Sequence, residues 1–161
     1  MPMPAEYQQP REQFVAFLGD VRDACEFGST HQAYTTTQGV FQTFRRRLSL
    51  PDAIRFAGVL PGLLRALFVA DWDPAEPQRP FAPREALLEE VRALRRLHNF
   101  TPDDAIGYVA WALRRHVDAD ALAGVLRTLP PGAADFWRVD DAEAIARRAA
   151  EWRALGPVQA S

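Results

Sequence analysis

Apolar residues recur along most of this chain at steps of three and four, the spacing that gathers them on one face of an α-helix. Phe14, Phe17, Leu18, Val21 and Cys25 make the first stripe and predict a helix over about Glu12 to Glu26. Gly28-Ser29-Thr30 breaks it and supplies a cap for the next. The second segment, about Thr30 to Leu48, carries Thr35, Thr36, Thr37 and Gly39, which are poor helix formers and admit a strand. Its apolar positions Ala33, Val40, Phe41, Phe44 and Leu48 still fall on a helical period, so helix is the expectation. Ser49 and Asp52 then form a capping arrangement, with Pro51 in the first turn of a third helix that presents Ala53, Phe56, Ala57 and Leu60. Pro61 removes a donor and pushes Leu60 out of the α region, so that helix ends there. A fourth restarts with Leu64, Leu67 and Phe68 inward.

Residues 71–84 (DWDPAEPQRPFAPR) are proline-rich and read as a linker. After it the pattern begins again. A fifth helix, about Arg84 to His98, shows Leu87, Val91, Leu94 and Leu97, which match Phe14, Leu18, Val21 and Ala24 at a shift of 73. Thr101-Pro102-Asp103-Asp104 reads as a helix start with Thr101 as the capping hydroxyl. Beyond it Ile106, Val109, Ala110, Leu113 and Val117 match Thr37, Val40, Phe41, Phe44 and Leu48 at a shift of 69. Leu122, Val125, Leu126 and Leu129-Pro130 repeat Ala53, Phe56, Ala57 and Leu60-Pro61 at the same shift, and Phe136-Trp137 repeat Leu67-Phe68. A last amphipathic segment, Asp140 to Leu155, has no counterpart in the first half.

The expected fold is therefore all-α: a tandem duplication of a four-helix unit packed as one bundle of about nine helices, plus a C-terminal docking helix. The expected divisions are a tail over 1–11, unit one over 12–70, the linker over 71–84, unit two over 85–138, the docking helix over 139–155 and a tail over 156–161.

Composition narrows the function classes. The chain has 161 residues, enough to hide roughly 68–70% of its unfolded surface without disulfides or metals. Every one of the 19 basic side chains is arginine, against 21 acids, and a net charge of −2 steers no polyanion. Cys25 is the single cysteine, which excludes an intrachain disulfide and paired-cysteine metal sites and points to the cytoplasm. The N-terminal stretch has no basic region followed by an apolar run, and the most apolar window, Phe56 to Ala70, is broken by Pro61 and Arg65, so neither a signal peptide nor membrane insertion is expected.

The turn Arg47-Leu48-Ser49 with Ala53, the step Leu60-Pro61 with Leu64-Arg65 and Leu67-Phe68, and Asp71-Trp72-Asp73-Pro74 resemble the family named domain of unknown function 2267. The likeness covers roughly residues 12–137; the second half departs where Ala134 replaces Arg65 and where the tryptophan-aspartate-proline step is missing. It implies a small bacterial all-helical protein and brings no activity, cofactor or catalytic residue with it.

No catalytic or metal-binding constellation is visible, and no cofactor is expected. His31, His98 and His116 are isolated from one another and from paired carboxylates, and Cys25 lies on an apolar stripe where a thiol behaves as a small hydrophobe. Arg45-Arg46-Arg47 and Arg114-Arg115 recur at equivalent sites, which favours complementing helix C-termini over nucleic-acid binding; Arg95-Arg96 lie nearby. Asp71-Trp72-Asp73 lacks the glycine and distal glutamate of a calcium loop, so Trp72 reads as a pin for the linker. The asymmetry between the halves is more informative. Ile54, Val59 and Leu63 are apolar where the second half has Ala123, Thr128 and Gly132, and with Arg65 they form a candidate face for a protein partner or homo-oligomer. Two readings follow: a non-enzymatic interaction or self-assembly module, or a binder of small apolar ligands in a cleft near Trp72, Trp111 and Trp137. An enzyme comes third, because a site assembled from distant residues is invisible in one sequence.

Overall fold

The computed structural model describes residues 2–94 and 101–156, and the described residues are helical with no strand. Arg95, Arg96, Leu97, His98 and the tail beyond residue 156 lie outside them. A short α1 (Ala5–Gln8) occupies the stretch expected to be a tail and leads into α2 (Pro10–Cys25), which has proline in its first turn. The threonine-rich segment is α3 (Thr30–Arg45), opened by a capping box in which Ser29 accepts from Gln32 N and Gln32 reaches back to the Ser29 backbone. Thr37 hydrogen-bonds the Ala33 carbonyl at 2.8 Å, so its hydroxyl is satisfied inside the helix rather than competing with it. The turn after α3 leads to α4 (Leu50–Ala57), capped by Ser49, and Pro61 then stands at the N-cap of α5 (Gly62–Val69).

The second half contributes α6 (Arg84–Leu94), α7 (Ala105–His116), α8 (Ala119–Thr128) and the short α9 (Ala133–Phe136). The start of α7 differs from expectation. Asp104 rather than Thr101 is the cap, its carboxylate accepting from Gly107 N at 3.1 Å. The carboxylate folds back so closely that a Cβ at Gly107 would meet its Oδ2 at 2.0 Å, and Arg84 holds the same group at 3.1 Å. Phe17, Leu18 and Val21 are buried on α2, and Leu87, Leu88 and Val91 on α6.

The helices pack both within and across the halves. α2 lies on α3 of its own half and about as extensively on α7, and α6 lies on α3, so the first helix of each half also sits on the second helix of the other. The like elements α3 and α7 meet, as do α4 and α8. Where they converge the core is aromatic. The Trp137 ring lies 5.3 Å from Phe44, 5.6 Å from Phe56, 6.1 Å from Phe41 and 5.2 Å from Phe136, and it is fully buried. Gly132, at φ 101°, turns the chain from α8 into α9; a Cβ there would strike Phe81 of the linker at 2.7 Å.

α10 (Ala142–Ala154) lies against α2 and, less extensively, α7, with Ile145 and Ala149 buried. Its side chains also serve the end of α2: Arg148 Nε donates to Ala24 O at 2.7 Å and Trp152 Nε1 to Phe27 O at 3.0 Å. Among the described residues no helix is long and apolar enough to cross a membrane.

Candidate functional site

α4 is short and strongly two-faced. Ala53, Phe56 and Ala57 turn inward, leaving Leu50 and Ile54, one turn apart, on the outside. Ile54 is 64% exposed and Leu50 51%; Leu63, at the start of α5, is 39% exposed. Asp52 and Arg55 on the same helix pair at 2.6 Å. The other two members of the candidate face are placed differently. Val59 is half-buried against the core. Arg65 Nε donates to Ala57 O and Nη2 to Leu60 O, each at 3.0 Å, so this side chain satisfies the carbonyls at the end of α4.

The arginine run after α3 is absorbed into the fold, more deeply than its recurrence implied. Arg47 is buried, donates to Thr43 O at 2.7 Å and ion-pairs with Glu90 of α6. Burial would raise the Glu90 carboxyl, but the bonds from Arg47 and Arg79 outweigh it and hold the group below its usual range. Arg46 Nε pairs with Glu76 of the linker at 3.0 Å. Arg45 Nη1 donates to the carbonyls of Phe68 and Ala70, at 3.0 and 2.7 Å. The linker is pinned over this corner by Arg79 N donating to Arg46 O and Gln78 Nε2 to Arg47 O. Beneath it lies a crevice of about 170 Å³, walled in part by Arg45, Arg46, Ser49, Trp72, Glu76 and Gln78.

The three tryptophans have different surroundings. Trp72 does hold the linker down, its ring 5.6 Å from the Arg45 guanidinium carbon. Trp111 is nearly buried beneath Arg115, 5.0 Å from its ring centre. Trp137 is sealed in the aromatic core, and neither it nor Trp111 borders the crevice beside Trp72.

A second polar cluster ties α2 to α7 and α10. Asp20 Oδ2 lies 2.7 Å from His116 Nε2 and 3.1 Å from Arg115 Nε, and its Oδ1 accepts from Arg153 at 3.1 Å. Burial works to raise this carboxyl, yet the bonds from His116, Arg115 and Arg153 lower it to about 2. The fully buried Asp23 accepts from Arg22 at 2.9 Å and Arg153 at 2.7 Å. His116 thus takes a structural partner, Cys25 is buried, and His31 is exposed beside Tyr34. Sequence reasoning could not reach the Asp20 cluster, whose partners lie 95 to 133 positions apart. A faint signal was present: an acid at Asp20 and Asp23 on an otherwise apolar stripe calls for a cation from elsewhere.

No curated protein matches this chain. The family model described as an uncharacterized conserved protein (DUF2267) matches residues 14–136. That span takes in most of α2, all of α3 to α9 with the linker, and ends one residue before Trp137. The chain therefore belongs to the domain of unknown function 2267 family.

Proposed function

We propose that the protein is a non-enzymatic helical interaction module that self-associates through the outer side of α4. The exposure of Ile54, with Leu50 one turn before it on the same helix, carries this reading, and Leu63 adds a further exposed aliphatic at the start of α5. Aliphatic area left in water costs about 25 cal/mol per Å², and neighbouring aliphatics on one face are commonly covered by another surface. A second copy is the occupant that the face suits. Asp52 and Arg55 flank Ile54, so an antiparallel pair of α4 helices about a two-fold axis would set each Arg55 against the other copy's Asp52.

On the same reading the two halves are copies of one four-helix unit, closed by α10. Equivalent contacts support it: Ser49 caps Asp52 N and Asp118 caps Ala121 N, while Arg45 donates to Phe68 O and Arg114 to Trp137 O, all related by the shift of 69. We place the protein in the cytoplasm, where a lone cysteine stays reduced.

Light scattering over a concentration series up to about 1 mM tests the self-association, a range that reaches weak dimers. Wild type should rise from the 18.1 kDa of one chain toward twice that mass, while Ile54→Glu with Leu63→Glu stays at 18.1 kDa with an unchanged circular dichroism spectrum. A wild type that remains at 18.1 kDa throughout sinks the proposal.

A further inference from the structure

We infer that the crevice between the linker and the α3–α4 turn binds a small carboxylate monoanion, held by Arg45 and Arg46 against the ring of Trp72. Two arginines stand at matching positions on α3 and α7. Arg45 Nη1 donates to Phe68 O at 3.0 Å, and Arg114 Nη2 donates to Trp137 O at 2.8 Å. Their surroundings then diverge. Arg114 is open to water, whereas Arg45 is only 5% exposed, because the linker passes over it.

A guanidinium taken out of water is ordinarily compensated by a carboxylate, since neutral acceptors return only part of its hydration. Among the described residues, no carboxylate lies within 4 Å of Arg45. Its Nη1 meets two carbonyls, and its Nε is buried without a hydrogen-bond partner. The unmet donor belongs to a side chain that forms a wall of the crevice, and the Glu76 and Asp71 carboxylates act on its charge only from beyond 4 Å.

The remaining walls define what fits. Arg46 brings a second positive charge and Glu76 one negative, a surplus of one with Arg45, which matches a monoanion; a dianion would face the Glu76 carboxylate. Ser49 Oγ accepts from Asp52 N and keeps its own proton to donate. The volume of about 170 Å³ is that of about five or six water molecules at roughly 30 Å³ each, enough for a carboxyl group on a short chain or a single ring. Trp72 supplies the apolar wall for that chain or ring.

The test is a titration of the full-length, ¹⁵N-labelled protein with sodium benzoate, acetate, phosphate and chloride at equal ionic strength, following the arginine Nε–H and tryptophan indole resonances. Benzoate and acetate should shift the Arg45 and Trp72 signals and saturate with half-points of about 1–10 mM, and chloride and phosphate should not. Trp72→Leu should weaken benzoate more than acetate. Glu76→Gln should tighten both by about threefold, because the competing charge is gone. Both substitutions lie in the linker, and circular dichroism checks that the fold is kept. Linear shifts equal to those with chloride, a preference for phosphate, or no gain in Glu76→Gln would each overturn the inference. The result is independent of the mass measurement, so either proposal can fail alone.

Discussion

Asp20→Asn removes the charge at the centre of the cluster joining α2, α7 and α10 while preserving side-chain volume. The Asp20 carboxyl falls from 3.8 to about 2 on folding, and each unit is worth about 1.4 kcal/mol, which sets a ceiling of about 2.5 kcal/mol. Arg115 and Arg153 are 52% and 58% exposed, so solvent screens their share, and about 1–2 kcal/mol is the expected loss at pH 7. The sign follows from the depressed pKa. The contribution is fully present above 3.8, shrinks as the pH falls, and is lost below about 2; roughly half should remain at pH 3. Groups facing Asp20 are His116 and Arg115 from α7 and Arg153 from α10, with Asp23 alongside on α2 sharing Arg153. Urea unfolding of both proteins, from pH 7 down to the lowest pH at which both fold, gives the difference directly. Equal stabilities at pH 7 would refute the reasoning, as would a gap that stays constant from pH 5 to pH 3.

Two further substitutions probe other joints. Gly132→Ala should cost about 2 kcal/mol in chemical denaturation, because the left-handed φ is strained for alanine and its Cβ would press on Phe81. Ser49→Ala and Asp118→Ala should each lower stability by about 1 kcal/mol and add in the double variant, since each removes one cap at a separate helix start; urea midpoints read this.

The elements were legible where the signal is local. The threonine-rich α3 could be placed from its apolar period, and the break at Pro61 from proline chemistry, because both are decided within a turn or two of chain. The start of α7 was misread for the opposite reason: Thr101 and Asp104 are both competent caps, and the choice falls to Asp104, which Arg84 grips from 20 positions away. The positions of the four candidate residues were legible only in part. Comparing the halves singles out Ile54 and Leu63, which are exposed, but it cannot reveal that Val59 reaches the core or that Arg65 folds back on α4. Contacts such as Arg47 with Glu90 or Asp20 with His116 join elements whose adjacency no helical period encodes.

The crossed arrangement of α2 on α7 and α6 on α3 bears on how the protein is made. A ribosome that has released residues up to 70 has released α2 and α3, which rest on each other, but not α7 and α10 that also pack on α2, nor α6 that packs on α3. The part of their apolar stripes that α6 and α7 cover stays wet, or borrows temporary neighbours, until those helices emerge. Cutting the chain in the linker should therefore yield two fragments that are insoluble apart and soluble together. The same geometry allows two nascent chains held close on one message to trade halves, each α2 closing on the other chain's α7.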